Sequence, residues 1–238
     1  MRWFHVEQTS IPWTPTQLTL DAWYDASDAS TIITDVNGII GVNDKTVNAF
    51  DLVKGTPSLA AGTVNGLATV DFITSTDILT GPRPTTNVAI ASSFFIVTNL
   101  GAATNGVVLR GTLSKFMIVP QVGSGSTLIS VGLGTITYHL NGNASPWTTR
   151  GDMYTELVGS TNITGATGLN LAGLQSMTYF NFNTSFFCRG DFCEAIWVNG
   201  TIGTTDRQLI EGYLAWKWQG NGNALPVGHP YRNAPPTI

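Results

Sequence analysis

The chain has 238 residues, 42% of them hydrophobic and only 11% charged, with a formal net charge of −4. That length suffices for a full apolar core, and 7 Trp, 11 Phe and 6 Tyr exclude a disordered chain. Sparse, net-negative charge also excludes a nucleic-acid reader, which needs a basic stripe against phosphates.

In chain order, residues 1–16 carry Pro12 and Pro15 and read as an extended N-terminal arm. "LTLDAWYDASDAST" (18–31) starts with apolar residues at alternate positions (Leu18, Leu20, Ala22, Tyr24), the period of a half-buried strand, and runs into an oxygen-rich loop. "GIIGVNDKTVNAFDLV" (38–53) predicts strand, polar turn and strand, and "GLATVDFI" (66–73) a further strand. "TNVAIASSFFIVTNL" (86–100) is the most apolar segment and is expected at the centre of a sheet. Strands are also predicted within 106–122, 126–142, "MYTELVGS" (153–160), "LQSMTYFNFN" (174–183) and "DFCEAIWVNG" (191–200). They recur every 10–20 residues between Gly, Asn, Ser and Pro, the layout of an all-β sandwich and not of βαβ units. One helix is predicted over 205–218, "TDRQLIEGYLAWKW", with Thr205 as N-cap, Gln208 completing a capping box and Gly220 ending it. The proline-rich segment 219–238 reads as an extended tail, laid on the sandwich or on a neighbour. With no repeat and no linker visible, 1–238 is read as a single domain.

Charge is unevenly placed. Between Pro84 and Thr149 the only Lys, Arg, Asp or Glu residues are Arg110 and Lys115, and Leu157 to Cys188 has none. Such faces suit neutral partners: glycans or other subunits. No stretch reaches the roughly 18 apolar residues of a membrane span, and no secretory signal is visible. The expectation is a product made in a cytoplasm, not exported by the usual route and not inserted into a membrane. Cys188 and Cys193, the only cysteines, then read as buried thiols and not as a disulfide.

"RQLIEGYLAWKW" followed by "LPVGHPYRNAPPT" resembles the C-terminal signature of concanavalin A-like, laminin-G-like jelly rolls, which occur in many bacteriophage virion proteins and bacterial surface proteins. "AWYDASDAST", "NDK" (43–45), "VNGLATVDF" (64–72) and "RGDFCEAIWVNG" fall where that family has its opening strand, polar turn, third strand and last strand. The resemblance implies a two-sheet antiparallel jelly-roll sandwich with one short C-terminal helix and extended terminal arms. It also bears on Arg189-Gly190-Asp191, a tripeptide that integrin ligands display. In the family a Gly-Asp pair commonly begins the final strand, so Gly190 reads as a turn residue, Asp191 as the first residue of a strand, and the chain is not read as an integrin ligand.

Four chemistries are weighed. The resemblance admits glucanase activity, but retaining hydrolysis needs two carboxylates about 5 Å apart, and Glu7, Glu156, Glu194 and Glu211 form no Glu-x-Asp-x-x-Glu motif. Nucleophilic hydrolysis lacks a Gly-x-Ser-x-Gly elbow, and His5, His139 and His229 are scattered. Calcium is a candidate at Asp25, Asp28 and Asp44, because laminin-G-like sandwiches often hold one at the rim; the alternative is that Asp25 and Asp28 cap a turn. A glycan site is a candidate at Trp147, Asn141, Asn143, Asp152 and Tyr154: Asn141-Gly142 reads as a tight turn that either displays Trp147 beyond it or lets Trp147 pack on the sandwich edge. The functional expectation is a non-enzymatic structural protein on a bacteriophage virion surface (capsid decoration, head fibre or tail fibre module). It would be homo-oligomeric, packed against other virion proteins and able to make weak contacts with host surface glycans. The alternatives are a carbohydrate-binding adhesion domain and, more distantly, a glycoside hydrolase.

Overall fold

A computed structural model describes residues 10–54, 58–84, 91–101, 106, 108–111, 116–118, 120, 134–145, 147–172, 174–180 and 188–238. Among these, the strands are β1 (Leu20–Asp25), β2 (Ile32–Asp35), β3 (Gly38–Val42), β4 (Leu52–Val53), β5 (Ala60–Val64), β6 (Leu67–Phe72), β7 (Leu79–Pro82), β8 (Ala91–Leu100), β9 (Leu109–Gly111), β10 (Phe116–Ile118), β11 (Thr137–Leu140), β12 (Asn143–Ala144), β13 (Thr161–Asn170), β14 (Ser176–Tyr179) and β15 (Gly190–Asn199). The helices are α1 (Arg150–Leu157) and α2 (Thr204–Leu214), the latter continued by a π-helical turn over Ala215–Gln219.

Two antiparallel sheets form a sandwich. One runs β12-β11-β13-β8-β15-β6-β5, with β1 also on β15; the other runs β10-β9-β14-β7-β4-β3-β2. Their facing sides make the main core, where Phe94 packs on Trp197 (ring centroids 4.3 Å apart) and Phe72 stacks on Phe180 (4.3 Å). The Trp197 indole N–H donates to the Tyr179 hydroxyl at 2.6 Å, so the polar atoms of two buried rings satisfy each other. The outer side of the first sheet is covered as well. Trp23, Phe95, Val97, Ile163 and Ile196 meet Ile210, Leu214 and Trp218 of the C-terminal helical segment in a second core. Two covered faces explain why β8 reads "SSFFIV" without alternation. β8 lies between β13 and β15, central as its composition predicts.

Three expectations are corrected. Residues 153–160 are not a strand. Thr149 and Asp152 form a capping box that opens α1, and Met153 and Leu157, one turn apart, bury its apolar edge. The N-cap of α2 is Gly203, two residues before the expected Thr205, and no side chain caps the helix. The tail at 219–238 is not extended: it turns repeatedly on its own chain. Leu225 is fully buried, the Trp216 indole donates to Tyr231 O (2.8 Å), and Arg232 donates to the carbonyls of Asn223 and Leu225. The described part of the N-terminal arm pairs with it, through Trp13 N–H to Pro236 O (3.0 Å) and Ile238 N–H to Ile11 O (2.9 Å). Limited trypsinolysis of the isolated chain is therefore expected to spare Lys217 and Arg232; early release of 218–238 would count against this packing. Residues 126–133 and 181–183, also predicted as strand, lie outside the described residues.

A buried ion pair pins β4 to the loop before β7. Lys54 Nζ lies 2.8 Å from Asp77 Oδ1, and Asp77 Oδ2 accepts from the N–H groups of Ile73 and Thr74 at 2.7 Å each. Burial works to raise the Asp77 pKa, but Lys54 and the two N–H groups outweigh it and hold it below its ordinary value. A depressed carboxylate pKa means that the stabilisation is fully present above the unfolded-state value and is lost as pH falls through the folded one. Acid titration of unfolding is expected to show a loss of stability below about pH 4 that Asp77→Asn diminishes.

Candidate functional site

Besides the Lys54–Asp77 pair, three places among the described residues gather polar and charged side chains. The first lies under α2. A bulge in β15 between Phe192 and Glu194 breaks the in-out alternation there. It leaves Phe192 in the main core and turns Glu194 outward beneath the helix, next to Asp25, its register partner on β1. Glu194 is completely buried. Its Oε1 accepts from the Trp23 indole (2.7 Å) and the Tyr213 hydroxyl (3.0 Å), and its Oε2 from Lys217 Nζ (2.7 Å) and the Trp218 indole (2.6 Å). The π-helical turn presents consecutive residues, Lys217 and Trp218, to one carboxylate. Lys217 also meets Asp25 Oδ1 at 2.8 Å, and Lys45 joins Asp25 Oδ2 (3.2 Å) to Asp28 Oδ2 (2.7 Å). Burial pushes the Glu194 pKa up, with the Lys217 ammonium pulling against it. Burial acts the same way on Asp25, but Lys217, Ser27 and Lys45 overcome it and hold Asp25 low.

This geometry differs from a calcium shell at Asp25, Asp28 and Asp44. The first two carboxylates face lysine ammonium groups. Asp44 instead organises a loop, accepting from the N–H groups of Trp23 and Thr46 (2.9 Å each) and of Phe50 (3.0 Å). Asp25 and Asp28 also take the turn-capping contacts that were the alternative, from Ser27 and Ser30. Among the described residues no group of three or more His, Cys, Asp or Glu side chains is placed to hold a metal.

The second place is the corner formed by the β11–β12 hairpin and α1. Asn141 (φ 47°) and Gly142 (φ 83°) make the expected tight turn. Four of the five candidate glycan residues gather here around Glu156, which sequence reasoning did not assign to this site. Asn141 and Asn143 line one hollow of about 280 Å³, and Trp147 and Asp152 another of about 400 Å³; Glu156 lines both. Tyr154 packs instead against the main core.

Trp147 is no displayed platform. It is 6% exposed, rests against Tyr138 (5.6 Å between centroids) and donates its indole N–H to Glu156 Oε2 at 2.5 Å. Asp152 is spent on the helix cap, where N–H donors of Thr149 and Thr148 hold it ionised below the usual carboxylate range. Asn141 bridges strands, donating to Asn162 Oδ1 (2.9 Å) and accepting from Ile163 N–H (2.9 Å). Trp147→Phe removes the N–H and part of a buried indole ring, so it is expected to cost about 2–3 kcal/mol in urea unfolding. A change under about 0.5 kcal/mol would show that the ring is not packed in this corner.

The third place is Glu211, where Arg207 binds both carboxylate oxygens (2.7 and 2.8 Å) and His229 Nε2 approaches to 3.3 Å. His229 Nδ1 accepts from Tyr231 N–H (3.2 Å), which leaves the ring proton on Nε2, facing Glu211. This cluster clips the tail to α2.

Arg189-Gly190-Asp191 enters the middle of a sheet. β15 is flanked by β8 and β6 at Gly190, and the Asp191 carboxylate accepts from the Thr69 hydroxyl at 2.5 Å. Cys188 packs in the main core and Cys193 in the second, on opposite faces of the sheet, so the two buried thiols form no disulfide. No family model, curated protein or solved structure matches the chain.

Proposed function

We propose that the chain is a non-enzymatic structural protein of a bacteriophage virion surface: a capsid decoration protein, or a head-fibre or tail-fibre module packed against other subunits. The observation that carries the non-enzymatic part is the state of the carboxylates. Asp25, Glu194 and Glu211 are buried and satisfied by lysine, arginine, indole, hydroxyl and imidazole donors of the same chain. Asp152, which shares a hollow with Glu156, is held ionised by its cap, the opposite of what a protonated acid catalyst needs. The virion part rests on the resemblance of "RQLIEGYLAWKW" and the tail after it. The low-charge, Thr- and Asn-rich composition, suited to packing against neutral surfaces, supports it too.

A carbohydrate-binding adhesion domain is the second reading. It is favoured by the hollow that Asn141, Asn143, Ser145 and Glu156 share, a set of amide, hydroxyl and carboxylate groups suited to a sugar's hydroxyls.

Antibody labelling of intact particles, imaged by electron microscopy, tests both. Signal over the capsid supports decoration. Signal confined to the tail tip moves receptor binding first, and Asn143 and Glu156 become the residues to mutate. Particles without signal sink the virion reading.

A further inference from the structure

Lys217 reaches the sheet between carboxylates of two adjacent strands. Its Nζ lies 2.8 Å from Asp25 Oδ1 and 2.7 Å from Glu194 Oε2. Asp25 is 4% exposed and Glu194 0%. Trp23, Tyr213 and Trp218 wall the site, and the Lys217 ammonium lies 5.6 Å from the Tyr213 ring centroid and 5.2 Å from that of Trp218. An amine, a carboxyl against it and a second carboxyl to carry protons, with both carboxyls out of water and the Lys217 side chain 18% exposed, are the groups that a self-catalysed amide bond requires. We propose that Lys217 and Asp25 join in an intramolecular isopeptide bond, formed by the folded chain with Glu194 as proton relay.

Atoms and charge balance within these side chains. One ammonium proton of Lys217 passes through Glu194 Oε2 to Asp25 Oδ1, so that a neutral amine faces a neutral carboxyl. The freed lone pair attacks Asp25 Cγ and forms the C–N bond. Negative charge gathers on Asp25 Oδ2, where Lys45 Nζ stands 3.2 Å away. The bond from Cγ to Oδ1 then breaks. Oδ1 leaves as water, taking a second proton from the nitrogen through Glu194, which ends ionised as it began. An ammonium and a carboxylate have become a neutral amide and one water. Burial, which raises the Glu194 pKa, favours its brief protonation. Enclosure by indole rings keeps bulk water from reversing the step.

The bond would tie the C-terminal helical segment covalently to β1, and it rests on no part of the virion reading. Intact-mass measurement of the purified, denatured full chain is expected to fall one water below the sequence mass. Tandem spectra of a digest are expected to join the peptide holding Asp25 to the one holding Lys217. Lys217→Arg keeps a cation between the carboxylates and is expected to restore the full mass for its sequence. Glu194→Gln is expected to do the same; complete bridging in that variant would overturn the relay. Should Glu194→Gln fail to fold, the wild-type and Lys217→Arg spectra still decide. A wild-type chain at its full sequence mass overturns the proposal, and so does water loss mapped to any other pair of residues.

Discussion

Glu194→Ala is expected to lower the free energy of unfolding by about 3–5 kcal/mol, the cost of breaking a buried charge cluster from one side. The methyl group replaces an acceptor of four hydrogen bonds. It strands the indole N–H groups of Trp23 and Trp218, 7% and 0% exposed, and the Tyr213 hydroxyl. The two indoles and the phenol lose their partner whether Lys217 is an ammonium or an amide; a chain cross-linked through Glu194 loses that link as well, and its loss is correspondingly larger. Urea unfolding followed by tryptophan fluorescence measures it as a lower midpoint at unchanged slope. A shift under about 0.5 kcal/mol, the range of a surface substitution, would mean that water already reaches the cluster.

The cluster also shows how far the sequence could be read. Its members stand in the segments with the clearest patterns: Trp23, Asp25 and Asp28 in "AWYDASD", Lys45 in "NDK", Glu194 in "DFCEAIW", and Tyr213, Lys217 and Trp218 in "YLAWKW". Alternation places Trp23 and Asp25 on one face of a strand, and helical spacing places Tyr213 and Lys217 on one face of a helix. Nothing local says that Asp25 pairs with Glu194, because that register depends on a β15 bulge that inverts the in-out pattern after Phe192. A carboxylate that belongs to no motif in the sequence thus becomes the centre of a five-charge network.

The same limit explains other differences. β13 was not predicted, since "TNITGATGLN" is Thr-, Asn- and Gly-rich, yet it is hydrogen-bonded between β8 and β11 and largely buried. The signal for α1 was present as Thr149 and Asp152, three residues apart, but "MYTEL" carries aromatic and β-branched residues that favour a strand. For Trp147, composition could not separate a displayed ring from a packed one. Tyr138 and Glu156 decide it, and Glu156 reaches the indole from the far end of a helix that was read as a strand.

Gly190→Ala is the other substitution with a large expected effect, about 3–5 kcal/mol of destabilisation from combined backbone strain and overpacking. Gly190 holds φ at +134°, a conformation that L-residues rarely adopt. A β-carbon there would lie 2.3 Å from Asn99 O and 2.8 Å from Leu100 Cα, both backbone atoms of β8. Neither can turn aside as a flexible side chain would, so β8 and β15 must separate where β6 also joins. The glycine inside Arg-Gly-Asp is therefore demanded by sheet geometry, with Asp191 turned to Thr69 and Asn99. Arg189→Ala, at an exposed position just before the strand, serves as the control and is expected to change stability by no more than about 0.5 kcal/mol. If Gly190→Ala instead unfolds at the wild-type urea midpoint, the tripeptide is not held between β8 and β6. A loop able to present it to a receptor would then have to be considered again.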